Sequence, residues 1–497
     1  MDNSITKSVG FWSGLGFFLL LILVPAPDGL SIQAKHVAAV TVLMMIWWFS
    51  ETIPVYATAF VPLALFPVLA DIPASSLATN YGHSLVLLLL SGFFIARGLE
   101  EQQVHKRIAL SIIQKVGTGK RQILLGFMIA SAFLSMWLAN MIIVLLMLPI
   151  ALAIIQKEEE TGAKNGKFDI ALLLGIAYAS SVGGTGSLIG TPPNLVLAAT
   201  IDKLFPEAPE ISFLSWMLIG LPLILILLPV VWYYIVKYYG IRGSLEGGKA
   251  HIDQSLADLG PMKPGEKRAL AIFIFTAIGW LWRNSIQIDD LIIPGWSDLL
   301  GVAEYVNDST VGMLGALLMF IVKDKNTAEP LLNWNQAKQI PWGPLMLIGG
   351  GLALATGFKS SGLADYIGAS ISFIGHLPVL LIIVSIVAFM LFFTEVNSNT
   401  ATATLFLPLF AAIAVGNQLN PLLFLVPATF ACSFAFMLPI ATGPNMVIFG
   451  SERVSIAEMA RCGFWLNLIC IVLLTALLYF LIIPVWGIEV ELPAWVF

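Results

Sequence analysis

Long apolar stretches recur along the whole chain, and short polar segments separate them. Each stretch is close to the ~20 residues that an α-helix needs to cross ~30 Å of hydrocarbon. Because backbone groups in lipid must be hydrogen-bonded within their own segment, the pattern predicts an all-α polytopic membrane protein. We expect about eleven membrane-spanning helices of this length. They lie near residues 11–29, 36–52, 54–70, 84–99, 170–200, 214–236, 268–285, 309–322, 341–357, 421–450 and 463–485.

Two further apolar segments, 122–156 and 378–417, do not fit as single spans. Basic residues flank the first segment at both ends, with Lys120 on one side and Lys157 on the other, whereas residues 360–452 contain no Lys or Arg. Basic residues gather in cytoplasmic loops. We therefore expect two re-entrant helical hairpins, the first entering from the cytoplasm and the second from outside. The same charge pattern predicts a cytoplasmic N-terminus and an external C-terminus.

The composition agrees with a membrane protein and excludes several other classes. Of the 497 residues, 58% are hydrophobic and 11% are charged, whereas a soluble protein carries about a quarter charged residues. The net charge of −5 provides no basic surface for nucleic acid. Cys432, Cys462 and Cys470 lack metal-ligand spacing and are expected to be small buried hydrophobic residues. We expect an integral protein of the plasma (inner) membrane that has the lipid bilayer as its partner and needs no cofactor.

An internal repeat is visible in landmarks that occur twice in the same order. Asn140 lies nine residues before Pro149, and Asn399 lies nine residues before Pro408. Since the charge pattern orients the two copies oppositely, we expect an inverted repeat with a binding site between the copies, as in secondary transporters. The expected organisation is N-terminal scaffold helices in 1–83, a first inverted repeat in 84–240 (hairpin 122–156, broken helix 170–200), a cytoplasmic loop and scaffold helices in 241–340, and a second inverted repeat in 341–497 (hairpin 378–417, broken helix 421–450).

Each hairpin is followed by an apolar stretch with a proline-containing interruption. The interruptions read Gly-Thr-Pro-Pro-Asn at 190–194 and Ala-Thr-Gly-Pro-Asn at 441–445. Proline breaks the helical hydrogen-bond ladder, and the freed carbonyls must line a cavity or bind an ion because they cannot face lipid. A broken helix also directs the partial positive charge of a helix N-terminus at the cavity. A plain proline kink is the alternative interpretation.

Polar side chains at the second hairpin tip are candidates for ligand binding. Ser398, Asn399 and Thr400 supply donors for a carboxylate and oxygens for sodium, although Ser and Asn at such a tip also cap helices. Glu395 is an intramembrane acid, which is either part of a functional site or an anchor for backbone amides. Glu51 lies at a helix end and is expected to be structural. Neither tip nor interruption contains Arg or Lys, which favours a coupling cation for a bound anion.

These residues resemble the divalent anion/sodium symporter family, which comprises sodium–dicarboxylate, –citrate and –sulfate cotransporters. The specific part of the likeness is the pair of hairpin tips, where the family carries Ser-Asn-Thr, each followed by a proline-interrupted helix. The resemblance implies a homodimer whose protomers each have a scaffold domain and a transport domain that slides like an elevator. It also implies that stretches 102–117 and 360–375 are interfacial helices that carry the moving domain.

The resemblance further implies which residues form the site. The first sodium site would comprise Ser135, Asn140 and the backbone near Gly190, and the second Thr394, Asn399 and the backbone near Ala441. The implied substrate-binding residues are Asn140, Thr191, Ser398, Asn399, Thr400 and Thr442.

Two positions depart from the family pattern. The first tip reads Ala139-Asn140-Met141, so that two hydroxyls are missing, and Gly443 stands where a second proline is common. Since each lost hydrogen bond is worth about 0.5–1.5 kcal/mol, we expect an asymmetric site with a weaker anion-binding half.

The function expected from the sequence is sodium-coupled symport of small divalent anions such as C4-dicarboxylates. A sodium-independent anion exchanger of the same fold and a sulfate-type inorganic anion transporter are alternatives. A membrane enzyme using Glu395 or Glu51 is not expected, because the chain has no paired base, metal cluster or cofactor motif.

Overall fold

The computed structural model describes residues 3–117, 119–160, 167–244, 248–288 and 291–497. Residues 1–166 form α1 Asn3–Leu23, α2 Ile32–Ser50, α3 Val55–Thr58, α4 Val61–Leu69, α5 Ala74–Tyr81, α6 Ser84–Glu101, α7 Val104–Val116, α8 Lys120–Ser135 and α9 Asn140–Glu160. Residues 167–340 form α10 Phe168–Gly184, α11 Pro192–Leu204, α12 Phe213–Tyr238, α13 Gly248–Asp258, α14 Pro264–Leu281, β1 Ile286–Ile288, β2 Leu291–Ile293, α15 Trp296–Leu299, α16 Asp308–Ile321 and α17 Trp334–Ala337. The remainder forms α18 Trp342–Ser361, α19 Leu363–Ser370, α20 Val379–Phe393, α21 Asn399–Gly416, α22 Leu422–Cys432, α23 Gly443–Phe449, α24 Ile456–Leu477 and α25 Ile483–Val485, with 3₁₀ turns at Ser372–His376 and Ala494–Val496 and a π-helical turn at Leu478–Ile482.

Long apolar helices dominate the described part of the chain. Six helical segments there are long and apolar enough to cross a membrane: Thr6–Leu23, Ile32–Ser50, Ala74–Glu101, Phe213–Tyr238, Asn399–Gly416 and Ile456–Val485. Shorter apolar helices include the second arm of the predicted first hairpin, the first arm of the predicted second hairpin and the first half of each predicted broken helix. The three cysteines are free and buried, which confirms that they serve as small core residues.

Two helix pairs occupy the segments predicted to be hairpins. Residues 136–139 separate α8 from α9, and residues 394–398 separate α20 from α21. In each pair, the first half of the following broken helix packs against both arms, α10 against α8 and α9 and α22 against α20 and α21. The α8–α10 contact is backbone to backbone, because a Cβ on Gly183 would lie 2.2 Å from the carbonyl oxygen of Ala132. Glycine is therefore required at position 183.

The structure differs from the sequence prediction at the N-terminus. The first span was expected near 11–29, but α1 begins at Asn3 and ends at Leu23. It packs along α2, and the hydroxyl of Thr52 donates to the carbonyl of Lys7 at 3.0 Å. These contacts extend the helix through the polar N-terminal residues.

The loops also contain structure that the hydrophobic pattern does not predict. The short helix α5 lies in the segment 71–83, which was expected to be a loop. The chain is helical as expected, and two three-residue strands, β1 and β2, pair antiparallel within one of its loops. Arg283 braces this loop, because its guanidinium lies 2.7 Å from Asp308 Oδ1 and 2.5 Å from Glu210 Oε1.

Candidate functional site

The first hairpin tip holds a hydroxyl and an amide together. Ser135 is the last residue of α8 and Asn140 the first of α9, so the four-residue link folds the two side chains back toward each other. Ser135 Oγ donates to Asn140 Oδ1 at 2.6 Å. Ser135 is fully buried, whereas Asn140 is half-buried. The amide of Asn140 is thus oriented by a buried hydroxyl and keeps an accessible edge.

The second tip repeats this geometry. Thr394 Oγ1 donates to Asn399 Oδ1 at 2.8 Å, and both tip pairs are separated by five residues in sequence. The same hydroxyl lies 2.8 Å from the carbonyl oxygen of Cys432, and Asn399 Nδ2 lies 3.5 Å from that of Ser433. Hydroxyl, amide and carbonyl oxygens converge here, which is the donor set that hard cations prefer.

Ser398 has the capping role that was considered beside ligand binding. Its side chain accepts a hydrogen bond from the backbone amide of Ala401 at 3.2 Å and caps α21. Thr400 follows in the first turn of α21 and is half-buried, like Ser398 and Asn399. The three side chains therefore occupy an accessible helix N-terminus, where the partial positive charge favours an anion.

The two helix interruptions are stabilised by equivalent asparagines. Asn194 Nδ2 donates to the carbonyls of Gly184 (3.2 Å) and Ser187 (2.7 Å), ten and seven residues earlier. Asn445 Nδ2 donates at the same two separations, to Ala435 (3.0 Å) and Leu438 (3.1 Å). Both asparagines are fully buried. Neither asparagine was predicted to have a role, although their matched position after proline is a signal that could have identified them.

Thr191 and Thr442 are the N-cap residues of α11 and α23, the helices that begin within the two interruptions. Both have extended backbones, with φ −143° and ψ 139° for Thr191 and φ −144° and ψ 150° for Thr442. The Thr442 side chain accepts from the amide of Asn445 at 3.3 Å, and the amide of Ala441 donates to Leu438 at 3.3 Å. The hydrogen bonds of Ala441 and Thr442 thus shape the second interruption itself.

Gly190 lies where the first interruption meets the first tip. A Cβ at this position would lie 2.5 Å from the carbonyl oxygen of Gly184 and 3.0 Å from that of Ser135. The structure therefore places Gly190 beside the Ser135–Asn140 pair. Backbone carbonyls freed by an unwound helix are ligands for sodium in transporters.

We expect Gly190→Ala to weaken cation binding at the first tip by about tenfold or more, which corresponds to a loss of about 1.4 kcal/mol of binding free energy. The added methyl cannot fit without moving the carbonyls of Gly184 or Ser135. The matched control is Ala441→Gly, which removes a Cβ at the equivalent position of the other interruption. It should weaken cation binding less than Gly190→Ala does. Uptake measured against sodium concentration tests this, and equal effects of both variants would contradict it.

Glu395 anchors the second interruption. Its carboxylate accepts from the backbone amides of Phe436 (2.7 Å), Met437 (3.0 Å) and Leu438 (3.2 Å) and from Asn467 Nδ2 (2.7 Å). Glu395 is buried. Of the two interpretations of this acid, the structure supports the anchor for backbone amides. The amides belong to the segment after α22, which lies 41 to 43 residues further along the chain.

Glu51 has the structural position that was expected. It is the C-cap of α2, with a left-handed backbone (φ 46°, ψ 37°), and its side chain is exposed. It therefore lies at a helix end and not among the tip residues.

The two halves of this region contact each other. A Cβ on Gly443, in the second interruption, would lie 3.0 Å from Cβ of Met141 at the first tip. The helix α11 packs against α21, and α23 packs against α9. Tyr178 on α10 donates its hydroxyl to the carbonyl of Phe436 at 2.8 Å. The two hairpin tips and the two interruptions thus form one connected region.

Solved structures of two other proteins are similar to this arrangement in fold. The YdaH transporter of Alcanivorax borkumensis matches with a TM-score of 0.55 at 13% identity, over 90% of this chain and 98% of that one. MtrF of Neisseria gonorrhoeae, whose structure is described as illuminating a class of antimetabolite efflux pumps, matches with a TM-score of 0.55 at 11% identity, over 98% of this chain and 97% of that one. At such identities the likeness concerns the fold alone.

Curated relatives are considerably more similar in sequence. The sodium-dependent dicarboxylate transporter SdcS of Staphylococcus saprophyticus is 40% identical over 99% of this chain and 94% of its own length. SdcS of Staphylococcus aureus is 38% identical over 99% of this chain and 94% of its own length. Residues 6–488 match the family described as the sodium:sulfate symporter transmembrane region. With apolar helices throughout and this match along nearly its whole length, the chain is an integral membrane protein that belongs to the sodium:sulfate symporter family.

Proposed function

We propose that the protein is a secondary active transporter that carries small dicarboxylates, such as C4-dicarboxylates, together with sodium. The observation that carries the proposal is the matched pair of hydroxyl–amide contacts, Ser135–Asn140 and Thr394–Asn399. Each pair lies near a non-helical segment whose backbone oxygens approach it. Relatives along the full chain are named as sodium-dependent dicarboxylate transporters, which supports both the ion and the substrate class.

The two proposed sodium sites follow the two hydroxyl–amide pairs. The first comprises Ser135, Asn140 and the backbone near Gly190, and the second Thr394, Asn399 and the backbone near Ala441. In the second site, the carbonyls of Cys432 and Ser433 lie within 2.8 and 3.5 Å of these side chains. Sodium is the coupling ion in this proposal, and no other cofactor takes part.

The proposed substrate site lies between the tips and the interruptions. Its residues are Asn140, Thr191, Ser398, Asn399, Thr400 and Thr442. The helices α9 and α21 begin at the two asparagines, so that both present their partial positive ends to a bound anion. No Arg or Lys lies in either tip, and sodium would supply the remaining positive charge. The proposal assigns the protein no enzymatic reaction.

The proposed mechanism is an elevator movement within a homodimer, with residues 84–240 and 341–497 as inverted repeats. The short helices α7 and α19 would carry the hairpins. In support, α7 packs against α8, and α19 packs against α21. At the second contact a Cβ on Gly368 would lie 2.7 Å from Cα of Gly416, so the two helices nearly touch. A close contact of this kind lets one helix move with the other.

The proposed topology places the N-terminus in the cytoplasm and the C-terminus outside the plasma membrane. It rests on the distribution of Lys and Arg, which flank the first hairpin and are absent from residues 360–452. About eleven spans and two re-entrant hairpins would then account for the apolar segments.

Sulfate is the second candidate substrate, because the matched family is described by sodium:sulfate symport. Hydroxyl groups and helix N-termini bind sulfate as well as carboxylate. Competition between sulfate and a labelled dicarboxylate distinguishes the two candidate substrates.

We expect proteoliposomes to take up labelled succinate when an inward sodium gradient is imposed and to lose this uptake when the gradient is collapsed. A tenfold excess of sulfate should compete poorly. The control is the same vesicles with an inward potassium gradient. Uptake that ignores sodium but rises strongly with internal anion would instead identify an exchanger, and stronger competition by sulfate would identify an inorganic anion transporter.

A further inference from the structure

The two halves of the site differ at two matched positions. After the tip asparagine, the second half has Thr400 and the first half has Met141. After the interruption threonine, the first half has Pro192 and the second half has Gly443. The first half therefore combines a long apolar side chain with a proline, and the second combines a small polar side chain with a glycine.

The two unusual residues are in direct contact. A Cβ on Gly443 would lie 3.0 Å from Cβ, 3.1 Å from Sδ and 3.2 Å from Cγ of Met141. Three side-chain atoms thus line the space that a residue at 443 would need. The helices that carry them, α9 and α23, pack together. A methionine at 141 and a glycine at 443 therefore depend on each other, since enlarging 443 forces Met141 to move.

Met141 also faces outward from the packed interior. Its side chain is 45% exposed, although its neighbours Leu138 and Ile143 are buried. It adjoins Asn140, whose amide is half-buried. A weakly polar thioether is thus displayed beside the first asparagine, at the position where the second half displays the hydroxyl of Thr400.

We propose that the Met141–Gly443 pair determines substrate specificity, by making the first half of the site select dicarboxylates without hydroxyl substituents. This inference rests on the proposed dicarboxylate transport. A substrate hydroxyl placed against Met141 loses its hydrogen bonds to water and gains only a thioether in return, whereas a methylene group packs against it. Succinate-like substrates are therefore preferred to malate-like or tartrate-like ones.

The substrate part of the inference is tested by competition. We expect Met141→Thr to improve the ability of malate to compete with labelled succinate by up to about tenfold, since one regained hydrogen bond is worth about 0.5–1.5 kcal/mol. Adding Ala139→Ser should strengthen the change. The control is Met446→Thr, which changes an exposed methionine one turn along α23 and should leave the malate-to-succinate ratio unaltered. An unchanged ratio in Met141→Thr would overturn the assignment.

The contact part is tested by a double-mutant cycle on purified protein. Gly443→Ala alone should lower the melting temperature in detergent, and this loss should be much smaller in a Met141→Gly background, because the Cβ, Cγ and Sδ atoms that approach the added methyl are then absent. Additive effects of the two changes would refute the mutual dependence. Melting does not require transport, so failure of the proposed function would appear separately, as absent sodium-dependent succinate uptake by the unaltered protein.

Discussion

Replacement of Asn399 by alanine is expected to abolish sodium-driven uptake, with a loss of at least about a hundredfold. Its amide belongs to both the proposed second sodium site and the proposed substrate site. Hydrogen bonds to charged groups are each worth about 1.5–3 kcal/mol, so that losing two exceeds the cost of a hundredfold change. The change also leaves the hydroxyl of Thr394 without its amide partner. Uptake and membrane insertion should be measured on the same preparation.

The matched variant for this experiment is Asn140→Ala. We expect a smaller loss, because the first tip already has Ala139 and Met141 in place of two hydroxyl residues. Normal uptake by a correctly inserted Asn399→Ala variant would show that the second tip does not take part in binding. A larger loss of uptake in Asn140→Ala than in Asn399→Ala would show that the first tip contributes more to transport than the second.

Replacement of Glu395 by alanine is expected to reduce both stability and transport. Three backbone amides and the Asn467 amide would lose their acceptor in a buried environment. An unsatisfied buried donor costs about 1–3 kcal/mol, so four donors imply at least about 4 kcal/mol before relaxation. The melting temperature of the purified variant should fall markedly, and uptake should be lost even where some protein folds.

The control for this prediction is Glu51→Ala. Glu51 is also a carboxylate next to apolar helices, but it is exposed at the end of α2. Its replacement should change the melting temperature little. The melting temperature of Glu395→Gln should lie between those of the unaltered protein and Glu395→Ala. One side-chain oxygen still accepts hydrogen bonds, whereas the new amide group faces backbone donors that it cannot accept from. Equal stability of the Glu395→Ala and Glu51→Ala variants would show that the interruption does not need its anchor.

The helix pairs and interruptions could be predicted because their causes are local. Prolines in the runs at 190–194 and 441–445 lie in the first turn of a new helix, where proline is tolerated and where it cannot continue a preceding helix. The polar residues at 398–400 stand out within an apolar stretch. The strand pair at 286–293 could not be predicted, since three-residue strands in a loop produce no usable periodicity.

The partners of individual site residues were less accessible to sequence reasoning. The acceptor role of Glu395 joins it to amides 41 to 43 residues away, and backbone amides carry no signal in the sequence. The contact of Met141 with Gly443 spans the two halves of the chain. Each residue was noted as a departure from a family pattern, but only the folded chain shows that the two departures touch.

The hydroxyl of Tyr178 has a consequence for how ligands are bound. It donates from α10, which precedes the first interruption, to the carbonyl of Phe436. Phe436 lies in the non-helical segment between α22 and α23, which contains the second interruption. A rearrangement at either interruption would change this shared hydrogen bond, so that the occupancy of one proposed ion site would alter the free energy of filling the other. By thermodynamic linkage the effect is reciprocal. Sodium activation should accordingly be cooperative, with a Hill coefficient that falls toward unity in Tyr178→Phe.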